Sequence, residues 1–303
     1  MTDHLHDAYK RFFKQTAGLP RFKTVKKYKS FTLKETAGWT VHPDKKEVRP
    51  KASGKGYHRG IGVVTIQKRV YKFIKHRPLT GTIKTVTIKR DTMGRLWICF
   101  SVIEDIKIPK VSTSRIGGFD FGLTVFLKDH AGADYHHPEF LKSNLPRIRA
   151  LNRSLARKKK GSRNRRKTRH LLARAHHRIE DKRRDFHYKQ AHQLCKQYDV
   201  LVFEDLNIDG MKRLWGHKVS DLAFSQFIEI MKWVALKEGK TVIVIDRFEA
   251  TTQTCSNCGH KQKLNLSERV YDCPHCDLIL DRDHNASINI QRIGASMHTA
   301  RDV

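Results

Sequence analysis

Residues 116–123 read IGGFDFGL, an apolar run interrupted by a single acid, Asp120. Three more short apolar runs follow at residues 123–128, 200–206 and 241–246, and the segments between them have helical spacing. Short apolar strands that alternate with helices are typical of an α/β domain. The sequence therefore predicts an α/β fold from Arg115 onward.

Acidic side chains stand in two of these predicted strands and just before a predicted helix. Asp120 lies near the end of the first run, Glu204 interrupts residues 200–206, and Asp281 and Asp283 precede a predicted helix over residues 286–292. A single acid of this kind most often belongs to a turn, a helix cap or an ion pair. Apolar burial does not explain three of them at the ends of separate elements.

The acids suit metal-dependent cleavage of a phosphodiester. That reaction needs a nucleophilic water and a stabilised leaving oxygen, and two Mg²⁺ ions about 3.5–4 Å apart provide both. Hard cations prefer oxygen ligands, and cations between the carboxylates would offset their mutual repulsion. We therefore predict a magnesium site formed by Asp120, Glu204 and either Asp281 or Asp283. The spacing leaves that choice open, because either acid can cap the following helix.

Four of the six cysteines form two C-x-x-C pairs separated by 14 residues: Cys255, Cys258, Cys273 and Cys276. This spacing is typical of a tetrahedral zinc site, and four sulfur ligands leave no open coordination position. The pattern predicts a structural Zn²⁺ ion. The alternative, two disulfides, is less favoured for a chain expected in a reducing compartment. We interpret Cys99 as a small core residue, and neither Cys99 nor Cys195 as a nucleophile.

The charge of the chain requires a polyanionic partner. Across 303 residues there are 61 Lys or Arg and 30 Asp or Glu, a net charge of +31. Residues 141–197 hold 20 Lys or Arg and 3 Asp or Glu, which is over half of that excess. Helical spacing there predicts two helices joined by a basic connector over residues 157–169. We expect nine basic residues of this connector to bind nucleic acid: Arg157, Lys158, Lys159, Lys160, Arg163, Arg165, Arg166, Lys167 and Arg169.

The first third of the chain has a different pattern. Residues 60–69, 81–90 and 94–104 alternate apolar and polar side chains and are rich in Val, Ile and Thr, which predicts strands. The turn residues 91–94, DTMG, predict an antiparallel hairpin. This part is expected to be mainly β, and a small barrel is one form of it. The sequence contains neither an apolar span of membrane length nor a signal peptide, so we expect a cytoplasmic protein without a membrane partner.

Five motifs in a fixed order resemble the TnpB family, also called the insertion-sequence OrfB family, whose members are relatives of the type V CRISPR effectors. They are GFDFGL at 118–123, FEDL at 203–206, TCSNCG at 254–259, CPHC at 273–276 and DRDHNASINI at 281–290. The resemblance implies a RuvC-like nuclease domain of RNase H-like fold, split in sequence and interrupted by the zinc module. It also implies that Asp120, Glu204 and Asp283 are catalytic, since the second acid of the last motif is the family's metal ligand.

Family members are RNA-guided DNA endonucleases encoded in transposons, so the resemblance implies DNA and a guide RNA as partners. It also implies a domain order: a remnant of a helical lobe, a β-barrel wedge domain, the RuvC-like domain with its basic hairpin, the zinc module and a C-terminal RuvC-like helix. The corresponding ranges are 1–26, 27–112, 113–250, 251–277 and 278–303. Because Met1 aligns part-way into a full-length member, we expect an N-terminally truncated chain.

Two alternatives remain open at this stage. The chain could be a nucleic-acid-binding regulator that does not cleave, or a truncated inactive copy. A ribosomal or transcription zinc-ribbon protein would account for the charge and the cysteines, but it leaves the three acids without a role.

Overall fold

The computed structural model describes residues 2–21, 28–42, 60–76, 78–105, 107–109, 115–265 and 268–299. The chain divides into two compact units, residues 1–106 and 107–303. The domain boundaries expected at 26–27 and 112–113 fall on residues outside the described ranges. Within those ranges, no helix combines the length and the apolar character that crossing a bilayer requires.

The described part of the first unit contains the α-helix α1 (Thr2–Phe13), a short 3-10 helix over Glu35–Ala37 and two three-stranded antiparallel sheets. Their strands are β1 (Ser30–Lys34), β2 (Trp39–His42), β3 (Gly60–Ile66), β4 (Arg69–Lys75), β5 (Thr82–Arg90) and β6 (Leu96–Ile103). One sheet has the order β1-β5-β6 and the other β2-β3-β4. The rings of Phe73 in β4 and Phe100 in β6, 5.3 Å apart, join the two sheets.

Both hairpins of this unit depend on their turns. The predicted β5–β6 hairpin is confirmed, and Asp91 Oδ1 accepts hydrogen bonds from the backbone N–H groups of Met93 and Arg95. The prediction of one strand over residues 60–69 is wrong, because Gln67 and Lys68 form a turn between β3 and β4. Both have positive φ, 46° and 67°, as a type I′ turn requires. Neither is the Gly or Asn that usually marks such a turn.

The second unit has a mixed α/β fold, as predicted. Its strands are β7 (Ile116–Phe121), β8 (Leu127–Asp129), β9 (Asp134–Tyr135), β10 (Val200–Glu204), β11 (Thr241–Ile245), β12 (Val270–Asp272) and β13 (Ile279–Asp281). Its helices are α2 (Phe140–Ala156), α3 (Arg163–Gln197), α4 (Ile208–Leu222), α5 (Phe224–Glu238) and α6 (Arg282–Thr299). A five-stranded sheet of order β11-β10-β7-β8-β9 forms its centre. Strand β10 is parallel to both β7 and β11, while β8 and β9 are antiparallel.

Two predicted elements of this unit need correction. The strand expected over residues 123–128 is wrong, because β8 begins only at Leu127. The connector between α2 and α3 ends at Ser162, so residues 163–169, which were assigned to it, are helical. The hydroxyl of Ser162 caps α3 by accepting a hydrogen bond from Arg165 N at 3.1 Å.

The alternation of side chains along the central strands separates two cores. On one face, Phe119 and Phe121 of β7 and Phe203 of β10 pack with α3 and α5 through a cluster of buried aromatic rings. On the other face, the valines and isoleucines of β10 and β11 pack against α6. Asp120 lies between Phe119 and Phe121 in sequence, so its side chain is directed to the α6 face.

Helix α6 approaches β7 closely at Gly118. A Cβ atom added there would lie 2.4 Å from both Ser287 O and Gln291 N, which are backbone atoms of α6. We therefore expect Gly118→Ala to lower the free energy of unfolding by about 1–3 kcal/mol. The control is Gly216→Ala in α4, where an added Cβ would meet nothing within 4 Å. Thermal unfolding measures both, and an equal midpoint for the two variants would contradict the proposed packing constraint.

Candidate active site and candidate metal centre

Two parallel strands place Asp120 and Glu204 side by side. Strands β7 and β10 pair in register, with Val202 opposite Gly118 and Phe203 opposite Phe119. Glu204 and Asp120 are the next residues in each strand. Both side chains therefore emerge on the α6 face at the carboxyl ends of adjacent parallel strands, where the ligands of open α/β sheets bind.

The third predicted acid, Asp283, comes from the first turn of α6. A Cβ atom added at Gly122, just after β7, would lie 3.8 Å from Asp283 Oδ2, so this carboxylate lies at the same strand end as Asp120. Asp281 has a different role. Its Oδ1 caps α6 by accepting the N–H of His284 at 3.0 Å and also pairs with Lys128 Nζ at 3.4 Å. These contacts favour Asp283 over Asp281 as the ligand.

Asp120 is the acid whose pKa is affected by the charges of the other two. Its side chain is 8% exposed. The pKa of Asp120 is raised well above its usual value near 3.8, first by burial and then by the negative charges of Asp283 and Glu204. The positive charge of Arg282 opposes the rise. A buried acid with two acidic neighbours forms a site that a divalent cation would stabilise.

Glu204 is held by a hydroxyl group. Burial raises the pKa of Glu204, while a hydrogen bond from Thr251 lowers it and the charge of Asp205 raises it further. Thr251 Oγ1 donates to Glu204 Oε2 at 2.9 Å, and Thr251 is itself 2% exposed. Arg247 Nε donates to Asp205 Oδ2 at 2.8 Å and partly offsets that neighbouring charge.

Two arginines contact Asp283. Arg282 Nη2 lies 3.2 Å from Oδ1, and Arg269 Nη1 lies 4.0 Å from Oδ2. Within the described part of the chain, the four thiols form a group close enough to hold a metal ion, and the three carboxylates do not form such a group. Their side-chain donors are all hard oxygens, which divalent cations prefer, and Asp120 is affected by the charges of both other acids.

The four predicted zinc ligands lie together. Their sulfur atoms are within 4.8 Å of one another, and all six cysteines are free. Cys255 Sγ lies 3.6 Å from Cys276 Sγ, and Cys258 Sγ lies 3.6 Å from Cys273 Sγ. Zn–S bonds of about 2.3 Å in a tetrahedron require sulfur separations of about 3.8 Å. The cluster can therefore hold a metal ion.

Contacts around the thiols favour metal binding. Asn257 N lies 3.4 Å from Cys255 Sγ, and its side-chain amide donates to Cys276 Sγ at 3.5 Å. That amide, together with the N–H of Leu278, lowers the pKa of the Cys276 thiol to about 6. At Cys258, by contrast, the lowering effect of the His260 N–H is outweighed by the neighbouring thiols, which raise the pKa to about 12. Thiolates are the form that binds metal.

Outside the cluster, Cys195 is buried, whereas the interpretation of Cys99 as a core residue is wrong, because it is exposed.

The nine basic residues predicted to bind nucleic acid differ in their surroundings. Seven are exposed, but Lys158 and Arg165 are half-buried. Arg165 Nη1 donates to the carbonyl oxygens of Leu155 and Lys158, at 2.5 and 3.0 Å, and so completes the end of α2. Lys158 Nζ donates to Ser154 Oγ at 2.8 Å. Arg165 therefore joins α3 to the end of α2, and Lys158 bonds the connector to α2. A run of basic residues in the sequence does not reveal either role.

Several residues of the site were not found from the sequence. Thr251 and Arg269 lie in the stretch around the cysteine pairs, and Arg282 lies between the two acids of the last motif. The side chains of Asn285 and Asn289 bond this stretch to α6. The one available signal was the density of polar residues in 281–290, since buried polar side chains need partners.

Comparison with known proteins places these features in a family context. The family model described as "Probable transposase" matches residues 98–214, and the model described as "Cas12f1-like, TNB domain" matches residues 224–290. A Streptomyces pristinaespiralis protein with the provisional name RNA-guided DNA endonuclease is 28% identical over 306 residues, covering 99% of this chain and 71% of the relative.

Two further relatives differ in length. InsQ of Escherichia coli (strain K12), which has the same provisional name, is 24% identical over 316 residues, with 96% of this chain and 72% of InsQ covered. The TnpB-like protein L79 of Acanthamoeba polyphaga mimivirus is 28% identical over 239 residues, with 74% of this chain and 46% of L79 covered. The chain therefore spans about half of the length of L79 and nearly three quarters of InsQ.

Among solved structures, the cryo-EM structure of the Cas12f1–sgRNA–target DNA complex resembles this chain, with a TM-score of 0.59 at 15% identity. The match covers 93% of this chain and 67% of that one. At this identity the likeness concerns the fold alone, a mixed α/β fold like that of Cas12f1.

Proposed function

Because this chain belongs to the TnpB family, also called the insertion-sequence OrfB family, we propose that it is a transposon-associated, RNA-guided DNA endonuclease. The observation that carries the proposal is the position of Asp120, which interacts with the charges of both Glu204 and Asp283 at the end of the central sheet. The names of the relatives supply the substrate class and the guide. DNA and a guide RNA are accordingly its proposed partners.

The proposed architecture follows the family. We take the five-stranded sheet with α6 as an RNase H-like, RuvC-like domain in which β7, β10 and α6 each contribute one acid. The four-cysteine module, over 251–277, would be inserted before α6. The strands of the first unit would form the β-barrel wedge domain of residues 27–112.

In this mechanism Asp120, Glu204 and Asp283 would hold Mg²⁺. When bound, Mg²⁺ would lower the pKa of a water nucleophile and stabilise the leaving oxygen. The protein's own contribution is geometric: rigid strands fix Asp120 and Glu204, the N-terminus of α6 fixes Asp283, and Thr251 orients Glu204. The two arginines at Asp283 balance part of the negative charge before a cation enters.

The test of the function is cleavage of DNA by the protein purified with its associated RNA, with and without Mg²⁺. Cleavage that needs both supports the proposal. Inactivity of a folded protein that still binds DNA and RNA would favour a nucleic-acid-binding regulator instead.

Zinc is the ion we propose for the thiolate site, because its four sulfurs suit tetrahedral Zn²⁺ and not Mg²⁺.

The exposed basic side chains at the start of α3 and just before it are proposed to bind phosphates. Changing Lys159, Lys160 and Arg166 to Ala should make the binding of duplex DNA less sensitive to salt. The slope of the logarithm of the association constant against the logarithm of the salt concentration should become less steep by about 0.9 for each phosphate that is no longer neutralised. Fluorescence anisotropy over a series of KCl concentrations measures the slope.

Arg165→Ala is the matched control for these changes. Its guanidinium is bonded to α2, so this variant should lower the unfolding midpoint and change the slope little. An unchanged slope in the triple variant would contradict a phosphate-binding role for the connector.

A further inference from the structure

A chain of hydrogen bonds runs from the first cysteine pair to Glu204. Asn285 of α6, fully buried, accepts Ser256 N at its Oδ1 and donates from Nδ2 to Thr254 O, both at 2.8 Å. One helical turn later, Asn289 Nδ2 donates to Thr251 O at 2.8 Å and to Thr254 O at 2.7 Å. These two amides attach the segment leading into Cys255 to the helix that carries Asp283.

The same segment begins at the candidate catalytic site. Thr251 lies four residues before Cys255, and its hydroxyl donates to Glu204 Oε2. Thr254 closes the turn between them by donating from Oγ1 to Ala250 O at 2.7 Å. The position of Cys255 is set in turn by its N–H, which donates to His260 O at 2.8 Å within the module. A displacement of Cys255 would therefore be transmitted through four residues to a ligand of the catalytic cation.

We propose that Thr251 is a positioning residue for Glu204, and that metal occupancy of the four-cysteine site sets the affinity of the carboxylate site for divalent cations. The inference rests on the proposed function only for the role of the three acids. Removing a group that orients a metal ligand typically weakens metal binding by about 10- to 100-fold. The thiolate module thus acts on the catalytic site as well as on its own fold.

Isothermal titration with Mn²⁺ on zinc-loaded protein tests the first part. Thr251→Val keeps the shape of the side chain and removes the donor, so it should weaken Mn²⁺ binding about 10- to 100-fold. Thr251→Ser restores the hydroxyl and should restore most of the affinity. Thr252→Val makes the same change one residue away and should leave the affinity unchanged. Equal affinities for Thr251→Val and the unaltered protein would overturn the positioning role.

A double-mutant cycle tests the link to the thiolates. Cys258→Ser should remove zinc and should weaken Mn²⁺ binding by a factor similar to that of Thr251→Val. The double variant should bind Mn²⁺ only slightly more weakly than either single variant, because both changes break the same connection. Factors that multiply would overturn the link. Asn289→Ala gives a second route if Cys258→Ser does not fold, because it should keep zinc and still weaken Mn²⁺ binding.

Asp120→Asn separates this inference from the proposed function. If Asp120→Asn abolishes Mn²⁺ binding while Thr251→Val leaves it intact, the positioning role fails and the cation site stands. If Asp120→Asn has no effect on Mn²⁺ binding, the proposed carboxylate site itself is wrong. Zinc content, measured on every variant by atomic absorption, shows which site each change has altered.

Discussion

Replacing Asp120 by Asn is expected to reduce DNA cleavage by about 10³-fold or more, because it removes a central ligand of the proposed cation site. Metal ions stabilise transition-state charge by several kcal/mol, and each 1.36 kcal/mol is about a factor of ten in rate. Binding of DNA and RNA should stay within about twofold, since the basic residues proposed to contact phosphates do not include Asp120 or its partners. Single-turnover cleavage and anisotropy, on one preparation, measure the two quantities.

The same substitution should raise the stability of the Mg²⁺-free protein at neutral pH. Burial and two neighbouring acids raise the pKa of Asp120 in the folded state. The carboxyl group of Asp120 therefore contributes stability to the folded protein at pH values below its unfolded pKa, near 3.8. That contribution is lost as the pH rises through its pKa in the folded state. The unfolding midpoint of Asp120→Asn should therefore exceed that of the unaltered protein increasingly as the pH is raised from acid to neutral.

Asp129 provides a matched control, because it is another buried aspartate of the same sheet. Its Oδ1 accepts the N–H groups of Ala131 and Ala133, and its Oδ2 accepts the hydroxyls of Tyr135 and Tyr198. In Asp129→Asn the amide nitrogen cannot accept from both tyrosines, so the unfolding midpoint should fall. Loss of nucleic-acid binding in parallel with cleavage in Asp120→Asn would contradict the assigned role.

The central strands β7, β10 and β11 and the acids of the candidate site were predictable from the sequence for a simple reason. A buried strand such as β7 is a local feature, and an acid within it is visible at once in the letters. The family motifs then selected Asp283, and the capping contact of Asp281 accounts for the other acid. The assignment of these three residues to one cation site is still a prediction.

Contacts between distant segments could not be predicted in this way. The bond from Thr251 to Glu204 joins residues 47 apart, and that from Leu141 N to Asp221 joins residues 80 apart. Such pairs depend on how strands and helices pack, and they leave no periodicity in either segment. The turn at Gln67 and Lys68 was missed for a local reason: neither residue type favours positive φ.

Replacing Cys273 by Ser is expected to have the second large effect, the loss of the whole four-cysteine module. The core of this module consists of Cys255, Tyr271 and Cys273 with three partly buried neighbours, too few to fold without another source of stability. Structural Zn²⁺ in modules of this kind contributes about 10–16 kcal/mol of apparent binding free energy. Zinc should fall from one equivalent per chain to near zero, and cleavage should fall with it.

Hydrogen exchange shows where the unfolding is confined. Amides of residues 251–265 and 268–281 should exchange rapidly in Cys273→Ser, while β7, β10 and β11 keep their protection, because their apolar cores do not include the module. Cys99→Ser, a thiol outside the cluster, is the control and should keep its zinc. Full zinc content in Cys273→Ser would contradict the four-sulfur site. Without reductant, the denatured and zinc-chelated unaltered protein should show all six thiols, and detection of only two would instead favour disulfides.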